Sequence, residues 1–242
     1  MPAGTSEALI LDAWHANAQA WERAVREGRI ASRKLVTDRA IVEAVLSHSP
    51  RTVIDLGCGE GWLARALARA GVQVVGVDAI ASLVEAAQAQ GGGDFRVISY
   101  DEVAAGALTE RADMVVCNFS LLGGASVDAL LAAVPALLEP DGVLLIQTLH
   151  PLMAEGPYAD GWREGSWVGC GDGFEQPAPW YFRTLGRWVS TLEAAGLSLL
   201  GLQEPIHPHT GRPASAIFLA GARQGDGDEQ ASRRSVSRHR TE

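Results

Sequence analysis

Short apolar runs alternate with helix-length segments through the middle of the chain. The runs predict strands at residues 52–56, 73–77, 95–98, 114–119 and 143–149. The segments between them predict helices at 61–70, 80–90, 102–106 and 127–138. Runs of β-branched residues separated by helices are typical of βαβ units, in which helices cover both faces of a parallel sheet. We therefore predict an α/β fold, a three-layer, doubly wound domain of the Rossmann-like type.

The last part of the domain breaks this alternation. Residues 151–181 are rich in Gly, Pro and aromatic side chains and are too long for an ordinary connection, so they are interpreted as an aromatic insertion. A helix at 182–195 and strands at 198–203 and 215–220 follow. The two strands predict an antiparallel hairpin at one edge of a mostly parallel, seven-stranded sheet.

The two ends of the chain have patterns of their own. Residues 7–46 have a helical apolar pattern, which favours a helical cap over residues 1–50 and a main domain over 51–222. Residues 223–242 are polar and predict a disordered tail. The N-terminus has no signal-peptide pattern, and no stretch is apolar enough to span a membrane. We expect a cytoplasmic protein without a membrane partner.

Composition narrows the class of partner. The chain has 242 residues and a net charge of -9, from 20 basic and 29 acidic side chains. Nucleic-acid binding needs clustered Lys and Arg, so a small-molecule substrate is expected instead. Cys58, Cys117 and Cys170 form no metal-binding pattern and are expected to be free thiols, and no metal site is predicted. The sequence leaves the oligomeric state open.

A glycine-rich loop follows the first predicted strand. Gly57, Gly59 and Gly61 alternate with other residues, and glycine lets a backbone turn sharply and approach a ligand. A dinucleotide fold needs G-x-G-x-x-G, but position 62 is Trp, which disfavours an NAD-dependent oxidoreductase. Asp78 ends the second strand, 21 residues after Gly57, where an acidic residue can accept hydrogen bonds from a ribose diol.

Residues 53–80, VIDLGCGEGWLARALARAGVQVVGVDAI, resemble the motif I region of class I S-adenosylmethionine-dependent methyltransferases of the small-molecule, quinone-biosynthesis type. The likeness extends over about residues 50–150. It implies S-adenosylmethionine as cofactor, with the glycine loop passing beneath its methionine part near Asp55. It also implies that Asp78 holds the ribose hydroxyls.

The resemblance implies further contacts around the cofactor. Asp101 is the candidate for the adenine amine, although Tyr100 or Glu102 are alternatives because the usual Gly-Asp-Ala pattern is absent. Asn118 and Phe119 would lie close to the methionine end and the transferable methyl group. Arg33 would pair with the cofactor carboxylate, or serve as a surface charge.

Acceptor and catalytic residues are expected above the sheet edge. His150 ends the fifth predicted strand and is the candidate general base, with a hydrogen bond to the strand end as the alternative. Large rings suggest an apolar acceptor pocket, although each ring could instead pack the cap onto the core. The candidate acceptor-binding residues are Trp14, Phe119, Tyr158, Trp162 and Trp180.

Three functions remain open at this point. The first is methyl transfer to the O, N or C atom of a small, partly apolar molecule. The second is an RNA or protein methyltransferase, which is disfavoured by the charge and by Asn118-Phe119-Ser120-Leu121 where base-methylating enzymes carry an Asn/Asp-Pro-Pro-aromatic turn. The third is a non-catalytic regulator that binds S-adenosylmethionine.

Overall fold

The computed structural model describes residues 3–223, and its strands follow the predicted alternation closely. They are β1 (Thr52–Leu56), β2 (Gln73–Asp78), β3 (Asp94–Val97), β4 (Ala112–Asn118), β5 (Leu138–Leu149), β6 (Gly161–Arg163), β7 (Trp180–Phe182), β8 (Leu197–Gln203) and β9 (Ser215–Ala222). Most of the predicted tail, residues 224–242, lies outside the described residues.

The helices are of very different lengths. They are α1 (Ala3–Arg26), α2 (Asp38–Leu46), α3 (Trp62–Ala68), α4 (Ala81–Gln90), α5 (Tyr100–Ala104), α6 (Ala125–Leu137) and α7 (Leu185–Ala194). A π-helical turn, Arg33–Thr37, precedes α2, and a 3-10 turn, Pro151–Met153, follows β5. Within residues 3–223, none of the helices combines the length and the apolar character needed to cross a bilayer.

The main sheet confirms the predicted fold class. Seven strands lie in the order β3-β2-β1-β4-β5-β9-β8. The first five are parallel, and β9 is antiparallel to both β5 and β8. The strands β6 and β7 form a separate antiparallel pair. The antiparallel hairpin therefore lies at one edge of a mostly parallel sheet, as predicted.

Both faces of the sheet are buried, which gives the three layers. Because successive side chains of a strand point to opposite faces, neighbouring residues enter different cores. Val53 and Met114 pack on the face that α2, α3 and α4 cover. Their neighbours Ile54 and Val115 pack on the face that α6 and α7 cover.

Several element boundaries differ from the prediction, and three of them have a clear local reason. The strand β5 begins at Leu138 because that residue pairs with Ala112 before a register shift. The helix α7 begins at Leu185, after the short strand β7, because the Thr184 hydroxyl accepts a hydrogen bond from Arg187 N and caps it. The helix α5 begins at Tyr100, where Ser99 and Glu102 form a capping box.

The N-terminal region is interrupted, whereas its pattern predicted one helical stretch. The chain leaves α1 at Arg26 and turns at Gly28, whose φ is +62°, before the π-helical turn. The division into a cap over residues 1–50, a domain over 51–222 and a tail stays a prediction.

Gly61 provides a test of how tightly the start of α3 is packed. A Cβ added at Gly61 would lie 2.9 Å from Cζ of Phe95 and 3.0 Å from Cβ of Ala87, and φ there is +79°. At Gly71, φ is +87°, but an added Cβ meets no described atom within 4 Å. We expect Gly71→Ala to lower the free energy of unfolding by about 1–2 kcal/mol through backbone strain alone. Gly61→Ala should cost at least about 1 kcal/mol more through overpacking.

Urea denaturation of both variants measures this difference. Equal losses of unfolding free energy in Gly61→Ala and Gly71→Ala would contradict the packing at the start of α3.

Candidate active site

A cavity of about 540 Å³ lies at the carboxyl ends of β1, β2, β3 and β4. Its floor comes from the loops that follow these strands, and its roof comes from α1 and from the π-helical turn. A second cavity, of about 530 Å³, opens at the amino ends of the same strands. Open α/β sheets bind ligands at the carboxyl edge, so the first cavity is the candidate site.

The glycine loop is held by the neighbouring strand and leaves room for a ligand. The backbone N–H groups of Gly57 and Cys58 both donate to the carbonyl of Val77, at 2.8 and 3.0 Å. Gly59 has φ +55°, and a Cβ added there would meet only Nε1 of Trp21, at 3.8 Å. Since Gly59 and Trp21 both line the cavity, that Cβ would occupy cavity space.

The other two glycines of the loop are required by packing. At Gly57, where φ is +81°, an added Cβ would overlap Cβ of Ser120. Gly57 lines the cavity, whereas Gly61 does not and packs under Phe95. The structure thus brings Gly57 and Gly59 to the candidate site, with Gly61 behind them.

Asp78 connects the glycine loop to the second strand. Its Oδ2 accepts a hydrogen bond from Gly59 N and its Oδ1 accepts one from Ile80 N, both at 2.9 Å. Burial raises the pKa of this carboxyl group. Each oxygen keeps a further acceptor position, and Asp78 lines the cavity, so the carboxylate is able to accept hydrogen bonds from a ligand.

Asp55 lies behind the loop and does not line the cavity. Its side chain is buried, and its Oδ1 has no hydrogen-bond partner among the described residues. Burial, and then the charge of Asp78, raises the pKa of Asp55 to about 7. A positive charge close to this oxygen would favour the ionised form.

The segment after β3 brings Tyr100 and Asp101 to the cavity. The Tyr100 hydroxyl donates to the carbonyl of Ser120, at 3.1 Å, which orients the ring. Asp101 lines the cavity beside it. Glu102 accepts hydrogen bonds from Ser99 and does not line the cavity. Of the three candidates for the adenine amine, it is therefore the one that lies outside the cavity.

The end of β4 is held by a buried amide network that the sequence did not indicate. Nε2 of Gln147 donates to Oδ1 of Asn118, at 2.7 Å, and to the carbonyl of Thr37, at 3.1 Å. Asn118 and Thr37 both line the cavity. The network therefore fixes the Asn118 amide and joins β5 to the π-helical turn. Gln147 was missed because a single polar residue inside an apolar strand carries no pattern.

Phe119 has a backbone conformation that is rare for its residue type. Its φ is +54°, and its N–H donates to the carbonyl of Gln147, at 2.8 Å. A non-glycine residue in this region costs about 1–3 kcal/mol, and such residues cluster at active sites and ligand clamps. The ring lines the cavity next to Asn118.

Arg33 lies at the end of the cavity beside the glycine loop. Its guanidinium carbon is 4.6 Å from the ring centroid of Trp62 and 5.8 Å from that of Trp21. Its Nε donates to Oδ1 of Asp38, at 2.8 Å, while Nη1 has no partner among the described residues. Trp21 and Trp62 also line the cavity, and neither was among the predicted site residues.

His150, the candidate general base, lies at the end of β5 and outside the cavity lining. It is 1% exposed and does not line the cavity. Its Nδ1 accepts from Leu152 N, at 3.1 Å, and its Nε2 is 2.8 Å from Oε1 of Glu204. Both ring nitrogens are therefore engaged at the end of β5, which matches the alternative of a strand-end hydrogen bond.

The expected acceptor-binding aromatic residues divide into two groups. Trp14 lines the cavity and packs edge-on against Trp21, with 5.1 Å between ring centroids. The side chains of Tyr158, Trp162 and Trp180 do not line it. These three pack around β7 instead: Trp162 lies against Tyr181, and Tyr158 and Trp180 lie against Phe182. Their rings are used to hold the insertion together.

A family model described as a methyltransferase domain matches residues 28–199. The chain belongs to this methyltransferase family. The resemblance inferred from residues 53–80 is therefore confirmed at the level of the family.

Individual relatives of this methyltransferase-family chain cover different parts of it. The ubiquinone biosynthesis O-methyltransferase of Xanthomonas oryzae pv. oryzae (strain PXO99A) is 35% identical over 114 residues, 45% of this chain and 47% of that protein. The chain thus matches about half the length of that curated relative.

Two solved structures are similar over longer stretches. The 1,6-didemethyltoxoflavin-N1-methyltransferase of Burkholderia thailandensis, with bound 1,6-didemethyltoxoflavin and S-adenosylhomocysteine, has a TM-score of 0.66 and 20% identity. It covers 93% of this chain and 92% of its own. The glycopeptide N-methyltransferase MtfA, complexed with S-adenosylmethionine, has a TM-score of 0.60 and 16% identity over 76% of this chain and 93% of its own. At these identities the likeness concerns the fold.

The raised pKa of Asp55 makes the stability of this methyltransferase-family protein depend on pH. The folded-state pKa of about 7 lies above the value of about 3.9 in an unfolded chain. The folded state therefore holds the proton more tightly, and the free energy of unfolding falls as pH rises from about 4 to about 7. This single group contributes at most about 1.4 kcal/mol per pH unit in that window.

Asp55→Asn should reduce this fall, and the effect is measured by urea denaturation between pH 4 and pH 8. Because burial also raises the pKa of Asp78, part of the fall should remain in the variant. An unchanged pH profile in Asp55→Asn would show that Asp55 is not a buried, strongly shifted acid.

Proposed function

We propose that this protein transfers a methyl group from S-adenosylmethionine to the O, N or C atom of a small, partly apolar molecule. The observation that carries the proposal is the junction of Gly59 and Asp78 at the floor of one cavity. Family membership supports methyl transfer, and two structural neighbours are bound to S-adenosylmethionine or S-adenosylhomocysteine.

The residues of the cavity suit the chemical groups of this cofactor. Asp78 has acceptor positions for ribose hydroxyls, and the space next to Gly59 admits a ligand that a side chain would exclude. Asp55 lies behind the loop, so it would act on a positively charged group of the cofactor through its charge and not by direct contact. The unpartnered Nη1 of Arg33 suits a carboxylate. Asp101 is placed for an adenine amine, and Asn118 for the methionine end.

The chain's own part in the reaction is binding and orientation. When bound, S-adenosylmethionine supplies a methyl group whose bond to sulfur breaks as the acceptor's electron pair bonds the methyl carbon, the sulfur keeping the bonding electrons and the acceptor's proton passing to solvent. Phe119 and Trp14 hold an apolar acceptor close to Asn118 and exclude water. No base at His150 is needed for this function.

The contacts of the predicted cap support the division into a cap over residues 1–50 and a domain over residues 51–222. The roof of the cavity is formed by α1 and Arg33, all within residues 1–50. The insertion at 151–181 reaches the roof through Trp167, which packs 5.4 Å from Trp14, centroid to centroid. We propose that the cap and the insertion together close the acceptor pocket of the domain at 51–222.

A macromolecular acceptor is the less favoured alternative. The chain has a net charge of -9, and Arg33 is the only Lys or Arg among the described residues that line the cavity. An RNA acceptor would bring phosphates to a surface with little positive charge. A non-catalytic binding protein would bind the cofactor without turnover.

Asp78→Ala tests the cofactor assignment by calorimetric titration. We expect the native protein to bind S-adenosylmethionine with a dissociation constant on the order of micromolar and to show no binding of NADH. Asp78→Ala should lose the binding because the ribose hydroxyls lose their acceptor. Native-like affinity in that variant would remove the ribose assignment.

Asp113 provides a matched control for the loss of two backbone hydrogen bonds. Its Oδ2 accepts from Arg51 N, at 2.8 Å, and from Thr52 N, at 3.1 Å, near the amino end of β4. Asp113→Ala therefore removes the same kind of contact as Asp78→Ala, but far from the cavity. We expect its cofactor affinity to remain within about twofold of native, since surface changes away from a site have small effects.

The class of acceptor is tested by incubating the protein with radiolabelled methyl donor and fractionated cell extract. We expect label in the small-molecule fraction and none in RNA or protein. Label in RNA or protein would support the macromolecular alternative. Cofactor binding without label in any fraction would support the non-catalytic one.

A further inference from the structure

One end of the cavity lies beyond the loops assigned to the cofactor. Those loops follow β1, β2 and β3, and Asn118 at the end of β4 is assigned to the cofactor as well. The far wall comes from residues further along the chain, Leu122, Gly123 and Ser126. The first turns of α1 close this wall from above through Glu7 and Ile10. If the cofactor lies as proposed, this wall bounds the space that remains for the acceptor.

Glu7 is fixed in the wall by three hydrogen bonds. Its Oε1 accepts from Gly124 N, at 2.8 Å, and from Ser126 N, at 3.4 Å, and its Oε2 accepts from the Ser126 hydroxyl, at 2.7 Å. These contacts cap the start of α6, where Gly124 provides no capping side chain. A carboxylate has about four acceptor positions, so capping leaves one of them free.

Glu7 is the only ionisable side chain among the described residues of this wall. The cavity's cationic side chain, Arg33, is at the opposite end. Its guanidinium is 5.8 Å from the ring of Trp21, and Trp21 follows Glu7 by 14 positions on α1, a rise of about 21 Å. The charge of Arg33 therefore does not compensate Glu7.

The other nearby cation lies behind the wall. Arg183 is 2% exposed and donates to the carbonyls of Gly123 and Gly124, both at 2.8 Å. It also donates to Oδ1 of Asp128, at 3.0 Å, and Arg187 lies 3.5 Å from the other oxygen of that carboxylate. Arg183 does not line the cavity, so the described wall presents apolar side chains, the Ser126 hydroxyl and the carboxylate of Glu7.

We propose that the acceptor is an apolar molecule that carries a protonated amine, and that Glu7 binds this amine. This inference rests on the methyl-transfer function proposed above. An acceptor with a carboxylate or phosphate would bring its charge to a wall in which no described residue supplies a counter-ion and Glu7 is already negative. Burying an unpaired charge is costly. A protonated amine instead forms a charge-assisted hydrogen bond with the free position of Glu7.

Three matched probes test the charge preference: 1-naphthylmethylamine, 1-naphthylmethanol and 1-naphthoate. They share one ring system and differ in charge. Their binding to the full-length protein saturated with S-adenosylhomocysteine is measured by ligand-observed NMR titration. We expect the amine to bind about tenfold more tightly than the alcohol, and the carboxylate to bind more weakly than either.

Glu7→Gln separates the charge of Glu7 from its capping contacts. The glutamine Oε1 keeps an acceptor for Gly124 N, while the negative charge is lost. We expect the amine to lose its advantage over the alcohol, with the affinity for the alcohol and for S-adenosylhomocysteine unchanged. Asp12→Asn is the control, because Asp12 is exposed on the same helix and does not line the cavity.

The outcomes are distinguishable from those of the cofactor test. Failure of the amine to bind at millimolar concentration, equal or tighter binding of the carboxylate, or an amine preference that persists in Glu7→Gln would each overturn the inference. If the native protein did not bind S-adenosylhomocysteine, that result would instead contradict the proposed function itself.

Discussion

The candidate site depends on the hydrogen bond between Gly59 N and the carboxylate of Asp78. This bond joins the loop after β1 to the end of β2 and fixes both the loop's shape and the direction of the carboxylate. The loop is held from the same side by the carbonyl of Val77, which accepts from Gly57 N and Cys58 N. The carboxyl ends of parallel strands meet at one edge of the sheet. This junction therefore positions the backbone of the glycine loop and the charge of Asp78 for the same ligand.

Negative charge is concentrated around that junction at a cost to stability. Asp55 and Glu60 are buried and Asp78 is partly buried, and burial raises the pKa of each. Glu60 is paired with Arg65, but the other two have no cationic partner among the described ion pairs. Such a cluster is favourable for a ligand with positive charge, and binding would then relieve part of the repulsion.

Most of the fold was predictable because apolar periodicity and turn chemistry agree along residues 52–149. Right-handed crossovers restrict the possible strand orders, and the glycine loop with Asp78 identifies the ligand edge. The boundaries of α5 and α7 shifted because caps, rather than the apolar pattern, decide where those helices begin. Asp78 and Gly59 were identifiable for the same reason as the fold. Each lies at or just after the end of a predicted strand, so its place follows from the neighbouring sequence.

The acceptor end was less predictable because it is built from distant segments. Trp162 and Trp180 were expected to face the acceptor, but their neighbours in β6 and β7 engage their rings. His150 was expected at the ligand edge, but the turn after β5 uses its ring as a cap. Gln147 bonds to Asn118, 29 residues away, and Glu7 bonds to Gly124, 117 residues away. No short-range pattern in the sequence marks such contacts.

At Phe119, contact with a ligand and stability of the fold favour different residues. A glycine there would relax the left-handed conformation but would delete the ring that borders the cavity. A relative selected only for heat resistance would therefore drift away from aromatic residues at this position, whereas one selected for turnover would retain the strain.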